Sequence, residues 1–352
     1  MNHQKLLEFF DRGRDAGQPL VLATVYETAG STYSKAGAHM LIEADGIFQG
    51  MLSGGCLEGD LALRARAVLE TGEPLSVDYD LRLENEDLWG LGVGCDGMMR
   101  VFLQPLLPAE GYEPFAAIAE LMRGHRQGVV ATVIDADGQW PGATAISNGN
   151  DEWRSGIDGA AADDLLALAG KALGRRDGGL STAKLDGVEA SVLLSPVNTV
   201  PRLLVLGGGL DAGPVLRFAA ELGWRSTVAD HRPGYLERGD LDVAERVLCS
   251  PAESIGEHVD LDTFDMAIVM SHHLVSDERY LEALAASDVP YVGLLGPPAR
   301  RQRLIDSLGS AAASLADRLH GPAGLDLGGR GPAAIALSIV AEMQAHLAER
   351  AR

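Results

Sequence analysis

Cys56 is the residue of this chain best placed for chemistry, because of the residues that surround it. It follows the pair Gly54-Gly55, where a strand-like run gives way to a helical pattern that starts at Leu57. Glycines permit the positive φ angles of a tight strand-to-helix turn. The first turn of a helix has free N–H groups and a positive dipole end, which favour bound anions and the thiolate form of cysteine. Cys56 is therefore either a ligand-binding or nucleophilic thiol, or a small buried residue in a glycine-rich turn.

A second glycine-rich segment also carries a cysteine. Residues 90–97 read Gly-Leu-Gly-Val-Gly-Cys-Asp-Gly and contain Cys95, which we expect to lie near Cys56. The third cysteine, Cys249, ends a predicted strand and is most simply structural. An odd number of widely separated cysteines argues against a disulfide framework and for a reducing compartment.

The second half of the chain carries a dinucleotide-binding pattern. A strand-like run leads into Gly207-Gly208-Gly209, Ala212 takes the third position of the fingerprint, and an apolar helix follows. Asp230 ends the next strand, where an acid that binds the ribose is expected. This context predicts a Rossmann-type fold. Asp211 disfavours a bound pyrophosphate, because two anions would lie side by side; the alternative is that Asp211 caps the helix.

Two further loops follow strands of the same predicted sheet and should meet its crevice at the carboxyl ends of the strands. One loop contains His272 and His273, of which at most one is expected to contact a ligand. The other contains Arg300 and Arg301, which either bind a phosphate group or form a solvated helix face. Arg232, next to the predicted ribose-binding acid, blurs the choice between NAD and NADP.

The elements that must position these residues fall into three segments. Residues 1–110 predict an α+β domain that carries the first cysteine, and residues 111–198 continue this unit and end in a linker. Residues 199–352 alternate short apolar strands with helices, which predicts an α/β chain with a doubly wound parallel sheet at its C-terminal end. Residues 128–133 echo residues 21–25, a hint of duplication. The final helical stretch predicts either a dimer seam or a helix that covers the sheet.

Composition narrows the classes of partner. The chain has 352 residues, an apolar content of 46% and a formal net charge of −21 at pH 7, which repels the phosphate backbone of nucleic acids. No run approaches the ~20 apolar residues that span a bilayer. The first residues lack the pattern of a signal peptide. We therefore expect a cytoplasmic protein that binds neither nucleic acid nor membrane.

Several motifs in the same order resemble the xanthine dehydrogenase accessory protein family of the XdhC/CoxI type. They run nearly from end to end of the chain: residues 29–32, 35–38, 53–59, 91–97, 201–209, 230–232, 270–273, 291–296 and 320–327. The sequence departs from the family pattern at Leu210, where histidine is usual, and in the segment 329–332. These departures weaken the transfer of a role to the glycine turn of the Rossmann half.

The resemblance implies a cysteine-bearing N-terminal domain and a C-terminal Rossmann domain. It further implies binding of molybdenum cofactor (molybdopterin), support for its sulfuration by a cysteine desulfurase, and delivery to the apo-form of a molybdenum hydroxylase. We therefore expect a maturation chaperone, acting as a homodimer, rather than a free-standing enzyme.

On this hypothesis Cys56 contacts molybdenum or its exchanged sulfur, with Cys95 nearby, because soft thiolates suit such chemistry. The predicted cofactor-binding residues are Gly54, Gly55, Glu58, Gly207, Gly209, Asp230, Arg232, His273, Arg300 and Arg301. The alternative is an NAD(P)-dependent oxidoreductase that uses the Rossmann crevice, with His272 as proton donor. A third interpretation is a metal-trafficking protein that uses cysteines and histidines.

Overall fold

The structure is a computed structural model that describes residues 2–80, 97–124 and 126–350. The chain forms two compact units, Met1–Thr199 and Val200–Arg352. Within the described ranges, no helix combines the length and apolar character that a membrane crossing requires.

The first unit contains two antiparallel sheets with helices packed on them. Its first half consists of α1 (His3–Asp15), β1 (Leu20–Gly30), β2 (His39–Glu43), β3 (Phe48–Gln49), α2 (Glu58–Thr71), β4 (Leu75–Asp80) and β5 (Gly97–Leu106). Its second half consists of α3 (Phe115–Arg123), β6 (Gly128–Asp135), β7 (Thr144–Ser147), β8 (Glu152–Ser155), α4 (Gly159–Lys171), β9 (Gly179–Leu185) and β10 (Val188–Val197). Strand β3 is short, since the backbone leaves the extended conformation at Gly50, where φ is +110°.

The two sheets have the same topology. Their strand orders are β3-β2-β1-β5-β4 and β8-β7-β6-β10-β9. In each, one helix precedes the first strand and another connects the third strand to the fourth. Thr24 pairs with His39 in the first sheet, and Thr132 pairs with Thr144 in the second. The matching runs seen in the sequence therefore lie on equivalent strands of a structural repeat.

The two repeats contact each other reciprocally. Gln104 Nε2 donates a 2.8 Å hydrogen bond to the carbonyl oxygen of Gly142. Ser195, the equivalent of Gln104, lies against Gly37, the equivalent of Gly142. Both glycines have positive φ, and a β-carbon would lie 2.3 Å from Ser195 Oγ at Gly37 and 2.4 Å from Gln104 Nε2 at Gly142. Both positions therefore require glycine.

Helices cover the outer face of each sheet. Helix α2 buries Leu61, Ala65 and Val68 against the first sheet, and α4 buries its small apolar face against the second. Gly72 ends α2 with a left-handed φ of +73°, as its sequence position after the last apolar residue predicts.

The second unit is a doubly wound parallel sheet. Its elements are β11 (Arg202–Leu206), α5 (Ala212–Glu221), β12 (Arg225–Asp230), α6 (Pro233–Arg238), β13 (Arg246–Cys249), α7 (Ile255–His258), β14 (Met266–Val269), α8 (Leu274–Ala285), β15 (Tyr291–Leu294), α9 (Pro298–Leu308), β16 (Leu319–His320) and α10 (Pro332–Arg350). The strand order is β13-β12-β11-β14-β15-β16, and every pairing is parallel. The predicted Rossmann-type sheet is confirmed.

Two apolar clusters cover the faces of this sheet. Helix α10 buries Ala336, Ile339, Val340 and Met343 and packs on α5 and β15. This face of α10 therefore covers the sheet, which is one of the two roles that the sequence leaves open for it.

Candidate functional site

Cys56 lies in a turn that two glycines shape. Gly54 and Gly55 have φ angles of +80° and +107°, which residues with a side chain rarely adopt. The predicted glycine turn is confirmed. Cys56 stands directly before Leu57, the N-cap of α2, and its half-buried side chain packs against the core of the first sheet.

The carboxylate of Glu58, the first residue of α2, holds this turn from inside. It is buried, and it accepts backbone N–H hydrogen bonds of 2.8 to 3.2 Å from Leu52, Ser53, Gly55 and Leu57. It also accepts a hydrogen bond of 2.5 Å from the Ser53 hydroxyl. Burial pushes the pKa of Glu58 up, but the hydrogen bonds from Ser53 and the backbone outweigh it and hold that pKa below its usual value. Glu58 is therefore an ionised positioning residue.

These contacts change the role expected of the turn. Gly55 and Leu57 donate their N–H groups to Glu58. These two groups are therefore already engaged, and the contact of Gly54 or Gly55 with a cofactor stays a prediction. Glu58, predicted to bind a cofactor, has its carboxylate engaged within its own loop. Cys56 stays the predicted reactive residue of this turn.

A cleft of about 670 Å³ adjoins the turn. The ring of Tyr33 lines it and lies 3.4 Å from the position that a β-carbon of Gly54 would take. Ser34 donates its hydroxyl to the carbonyl oxygen of Met51 at 3.1 Å, which ties the loop after β1 to the segment that leads into the turn. The same two segments therefore form the cleft and support the cysteine turn.

Two histidines of this cleft were missed in the sequence. His39, the first residue of β2, is 5% exposed, and burial lowers its pKa to about 4. His3, on α1, also has a pKa lowered by burial. Both imidazoles are therefore neutral at pH 7. The available signal was a histidine at the start of an otherwise apolar strand, directly after the 35–38 motif.

Of the other two cysteines, the structure describes Cys249 alone. Cys95 lies outside the described residues, so its predicted proximity to Cys56 stays a prediction. Cys249 is exposed at the end of β13 in the second unit, with a free thiol. In the described ranges, no group of three or more histidine, cysteine or acidic residues could hold a metal ion. The metal-trafficking interpretation gains no support from this part of the chain.

In the second unit, the glycine turn is packed between strand ends. Gly207 has a φ of +127°, and its N–H donates to the carbonyl oxygen of Ala229 at 2.8 Å. A β-carbon on Gly207 would lie 2.6 Å from backbone atoms of Met270 and Ser271, so glycine is required here by close packing. The contact of Gly207 or Gly209 with a cofactor stays a prediction.

Asp230, at the end of β12, is fully buried and already engaged. Its Oδ2 accepts 2.8 Å hydrogen bonds from the N–H of Gly208 and from Nη2 of Arg232. Its Oδ1 accepts 2.9 Å hydrogen bonds from the N–H and Nε of Arg232. Burial raises the pKa of Asp230, but the opposing effect of Arg232 and these N–H groups is larger, so the pKa lies below its usual value. A ribose would have to displace this pairing, which disfavours the role predicted for Asp230.

Asp211 and His272 form an ion pair at the mouth of the same crevice. Asp211 takes the N-cap position of α5, but its side chain caps no backbone group; its Oδ2 lies 2.8 Å from Nε2 of His272. Burial opposes ionisation of Asp211, but His272 holds its pKa below the usual value, and Asp211 raises the pKa of His272. A β-carbon on Gly209 would lie 3.0 Å from Asp211 Oδ1. The pair therefore lies where a pyrophosphate would approach. It also engages the side chain of His272, the proton donor of the alternative oxidoreductase interpretation.

The side chain of His273 caps a helix. It is the N-cap of α8, and its Nδ1 accepts the N–H of Ser276 at 3.3 Å. Its ring lies 5.9 Å from that of His231. His272 and His273 therefore point to different partners, as their adjacency in the sequence predicts.

The two arginines predicted to bind phosphate diverge. Arg300 donates to Asp277 at 2.7 Å, and this buried carboxylate also accepts the Ser271 hydroxyl at 2.5 Å. Arg301 lies against Gly321, where a β-carbon would be 2.9 Å from its Cδ. A joint phosphate grip is therefore not formed, and a separate role for either arginine stays a prediction.

Comparisons with known proteins agree with this architecture. Residues 203–343 match the family model described as the XdhC Rossmann domain, and residues 14–80 match that of the XdhC and CoxI family. A solved structure titled as a xanthine dehydrogenase from Bacillus halodurans superposes with a TM-score of 0.79 at 26% identity, over 99% of this chain and 97% of that one.

Two curated relatives cover different shares of the chain. A protein of Bacillus subtilis (strain 168), named as a probable subunit of xanthine dehydrogenase, is 28% identical over 338 residues, 92% of each chain. The molybdenum cofactor insertion chaperone PaoD of Escherichia coli (strain K12) is 28% identical over 109 residues, 31% of this chain and 33% of that protein. With both family models matched in the expected order, and the fold shared along nearly the whole length, this chain belongs to the XdhC and CoxI family.

Proposed function

We propose that this chain is a maturation protein that binds molybdenum cofactor at the Cys56 turn. It supports sulfuration of the cofactor and delivers it to a molybdenum hydroxylase of the xanthine dehydrogenase type. The names of the relatives support this function, since one is a molybdenum cofactor insertion chaperone and another a probable subunit of xanthine dehydrogenase.

The observation that carries the proposal is the support given to Cys56. Its free thiol stands on a turn fixed by two left-handed glycines and by the buried carboxylate of Glu58. A preorganised ligand loses little conformational freedom on binding. The cleft, whose Tyr33 ring packs on Gly54 of the turn, has room for an organic group.

The residues present fit a soft metal with sulfur ligands. Thiolate is the ligand type that such metals prefer, and Cys56 supplies it without a disulfide partner. When bound, the cofactor supplies the metal and the exchangeable sulfur. The chain supplies the thiol, the rigid turn and the partly enclosed wall.

The source of sulfur and the assembly state belong to the same proposal. A cysteine desulfurase supplies the sulfur, and the chain acts as a homodimer. Copurification with a tagged desulfurase tests the first statement, and light scattering of the purified chain tests the second.

Substitution of Cys56 and Cys249, the free cysteines among the described residues, tests the proposed function. Cys56→Ala should abolish activation of a coexpressed hydroxylase while leaving the amount of both proteins unchanged. Cys249→Ala, which removes the exposed thiol of the second unit, should leave activation intact. Full activation by the Cys56 variant would overturn the role proposed for this residue.

A further inference from the structure

His39 is a buried polar side chain of the first unit. It is 5% exposed, lines the cleft beside the cysteine turn, and meets the ring of Phe115 edge-on at 6.5 Å. Across residues 2–80, 97–124 and 126–350, no hydrogen bond reaches its ring nitrogens. Neither nitrogen is among the fully enclosed side-chain atoms that lack a partner, so we infer that they are open to the cleft.

The second repeat has a different polar residue at the position equivalent to His39. Thr144 is the equivalent of His39, since each pairs with the equivalent threonine of the neighbouring strand. The hydroxyl of Thr144 donates to the carbonyl oxygen of Gly142 at 2.9 Å. The sheet can therefore satisfy a polar residue at this position internally. The first repeat instead places there an imidazole that makes no hydrogen bond to the described residues.

The groups around His39 select the chemistry of a ligand. Burial keeps the imidazole neutral, so it offers one hydrogen-bond donor and one acceptor rather than a charge. Tyr33, 66% exposed, presents an aromatic ring at the wall, and Met51 presents a polarisable thioether. Among the described residues that line the cleft, the cationic side chain is that of Lys35, in the exposed loop. A flat, uncharged ring system with donors and acceptors on its edge fits the His39 end better than an anion does.

We propose that this cleft is the subsite for the pterin ring of the cofactor, with His39 as its hydrogen-bonding residue and Tyr33 as its stacking surface. This inference rests on the proposed function, because the cofactor supplies the heterocycle. It places the organic part of the ligand beside the Cys56 turn, since Tyr33 lines the cleft and also packs on Gly54.

Pterin itself, without dithiolene, metal or phosphate, is the probe that tests this subsite. The full-length chain is titrated into pterin, and the quenching of pterin fluorescence gives the affinity. His39→Phe keeps a ring and removes both nitrogens, so the affinity should fall about tenfold or more. His39→Gln keeps a donor and an acceptor and should lose less. Tyr33→Ala, at an exposed position that folding does not require, should also weaken binding.

Two controls separate this subsite from the rest of the proposal. His258→Phe makes the same change at an exposed histidine of the second unit, and Cys249→Ala removes the exposed thiol of that unit; both should bind pterin as the parent does. Unfolding curves confirm that the His39 variants are folded. Absence of saturable pterin binding to the parent would overturn the subsite. Affinities of His39→Phe and Tyr33→Ala for pterin that equal the affinity of the parent would overturn it as well. Zinc binding that needs His39 and excludes pterin would overturn it too. None of these results would change the outcome expected of Cys56→Ala in the activation test, so failure of the subsite and failure of the proposed function are distinguishable.

Discussion

The carboxylate of Glu58 lies 2.5 Å from the hydroxyl of Ser53, and the same hydroxyl accepts the N–H of Leu57 at 2.8 Å. The anion that a helix start attracts is thus supplied by the protein itself, one residue inside α2. This arrangement makes the turn rigid before any ligand arrives. On the proposed function, the group that this turn presents for chemistry is the thiol of Cys56.

The first prediction concerns Glu58→Gln. An amide replaces a carboxylate that accepts five hydrogen bonds, and its NH₂ group would face donors. We expect the free energy of unfolding to fall by about 2–3 kcal/mol, measured with denaturant at pH 7. Glu70→Gln, at an exposed position of the same helix, should change it by less than about 0.5 kcal/mol. Equal stability of the two variants would contradict the account.

A pH dependence follows from the same carboxylate. Because folding lowers the pKa of Glu58, its ionised form stabilises the fold above the unfolded-state pKa, near 4.5. This contribution is lost as the pH falls through the lowered folded-state pKa. The stability difference between the parent and Glu58→Gln should therefore shrink from pH 7 toward pH 3. A stability difference that stays constant over this range would show that the charge of Glu58 does not contribute to the free energy of unfolding.

The glycine turn and the missed histidine show what local sequence can and cannot reveal. The conformational freedom of Gly54 and Gly55 is a property of the residues, so their turn could be predicted from the pattern alone. The environment of His39 comes from α3 and the repeat topology, which a local pattern does not contain. Likewise, Asp230 ends its strand as predicted, but its engagement also depends on Arg232 folding back toward the Ser271 carbonyl, 39 residues away.

The second prediction concerns Arg232→Ala. Arg232 is the main partner of fully buried Asp230, so its removal leaves an uncompensated charge. We expect a loss of about 3–5 kcal/mol in the free energy of unfolding of the Rossmann unit. Arg217→Ala removes an exposed ion pair with Asp240 and should cost about 1 kcal/mol or less. Calorimetry of both variants tests this, and similar losses would show that Asp230 does not depend on Arg232.

The third prediction concerns His272. Asp211 raises its pKa above the ordinary 6.5, so the imidazolium persists beyond that pH and the benefit of the pair is lost as the pH rises through the raised pKa. His272 is 57% exposed, so its titration is a better readout than stability. In an NMR titration, the His272 midpoint should exceed 6.5, and Asp211→Asn should lower it. An unchanged midpoint in the variant would mean that the two groups do not interact.

The fourth prediction concerns the contact between the repeats. The Ser195 hydroxyl is buried without a hydrogen bond among the described residues, so Ser195→Ala should leave stability unchanged or raise it by up to about 1 kcal/mol. Gly37→Ala should destabilise by about 1–3 kcal/mol, because its methyl group meets Ser195 Oγ.

A double-mutant cycle isolates the steric part of this contact. In Gly37→Ala/Ser195→Ala the clashing oxygen is gone, so part of the lost stability should return while the strain of positive φ remains. Additive effects of the two substitutions would contradict the reciprocal packing of the repeats.

The repeat also explains why the sequence hinted so weakly at duplication. Strand order and pairing are backbone properties, and they persist while side chains change. Gln104 and Ser195 differ in size and chemistry, yet each packs on the equivalent glycine of the other repeat. Only the first repeat carries a cysteine between its third strand and the following helix. The proposed function is therefore expected to depend on that half.

Native mass spectrometry of the chain, purified after coexpression with its target hydroxylase in medium containing molybdate, tests the central claim most directly. The parent, Cys56→Ser and Cys249→Ser are compared side by side, with molybdenum measured in the same samples. The account predicts an added mass that contains molybdenum and a pterin on the parent and on Cys249→Ser, and its loss from Cys56→Ser. The same added mass on Cys56→Ser would contradict the claim that this thiol holds the cofactor.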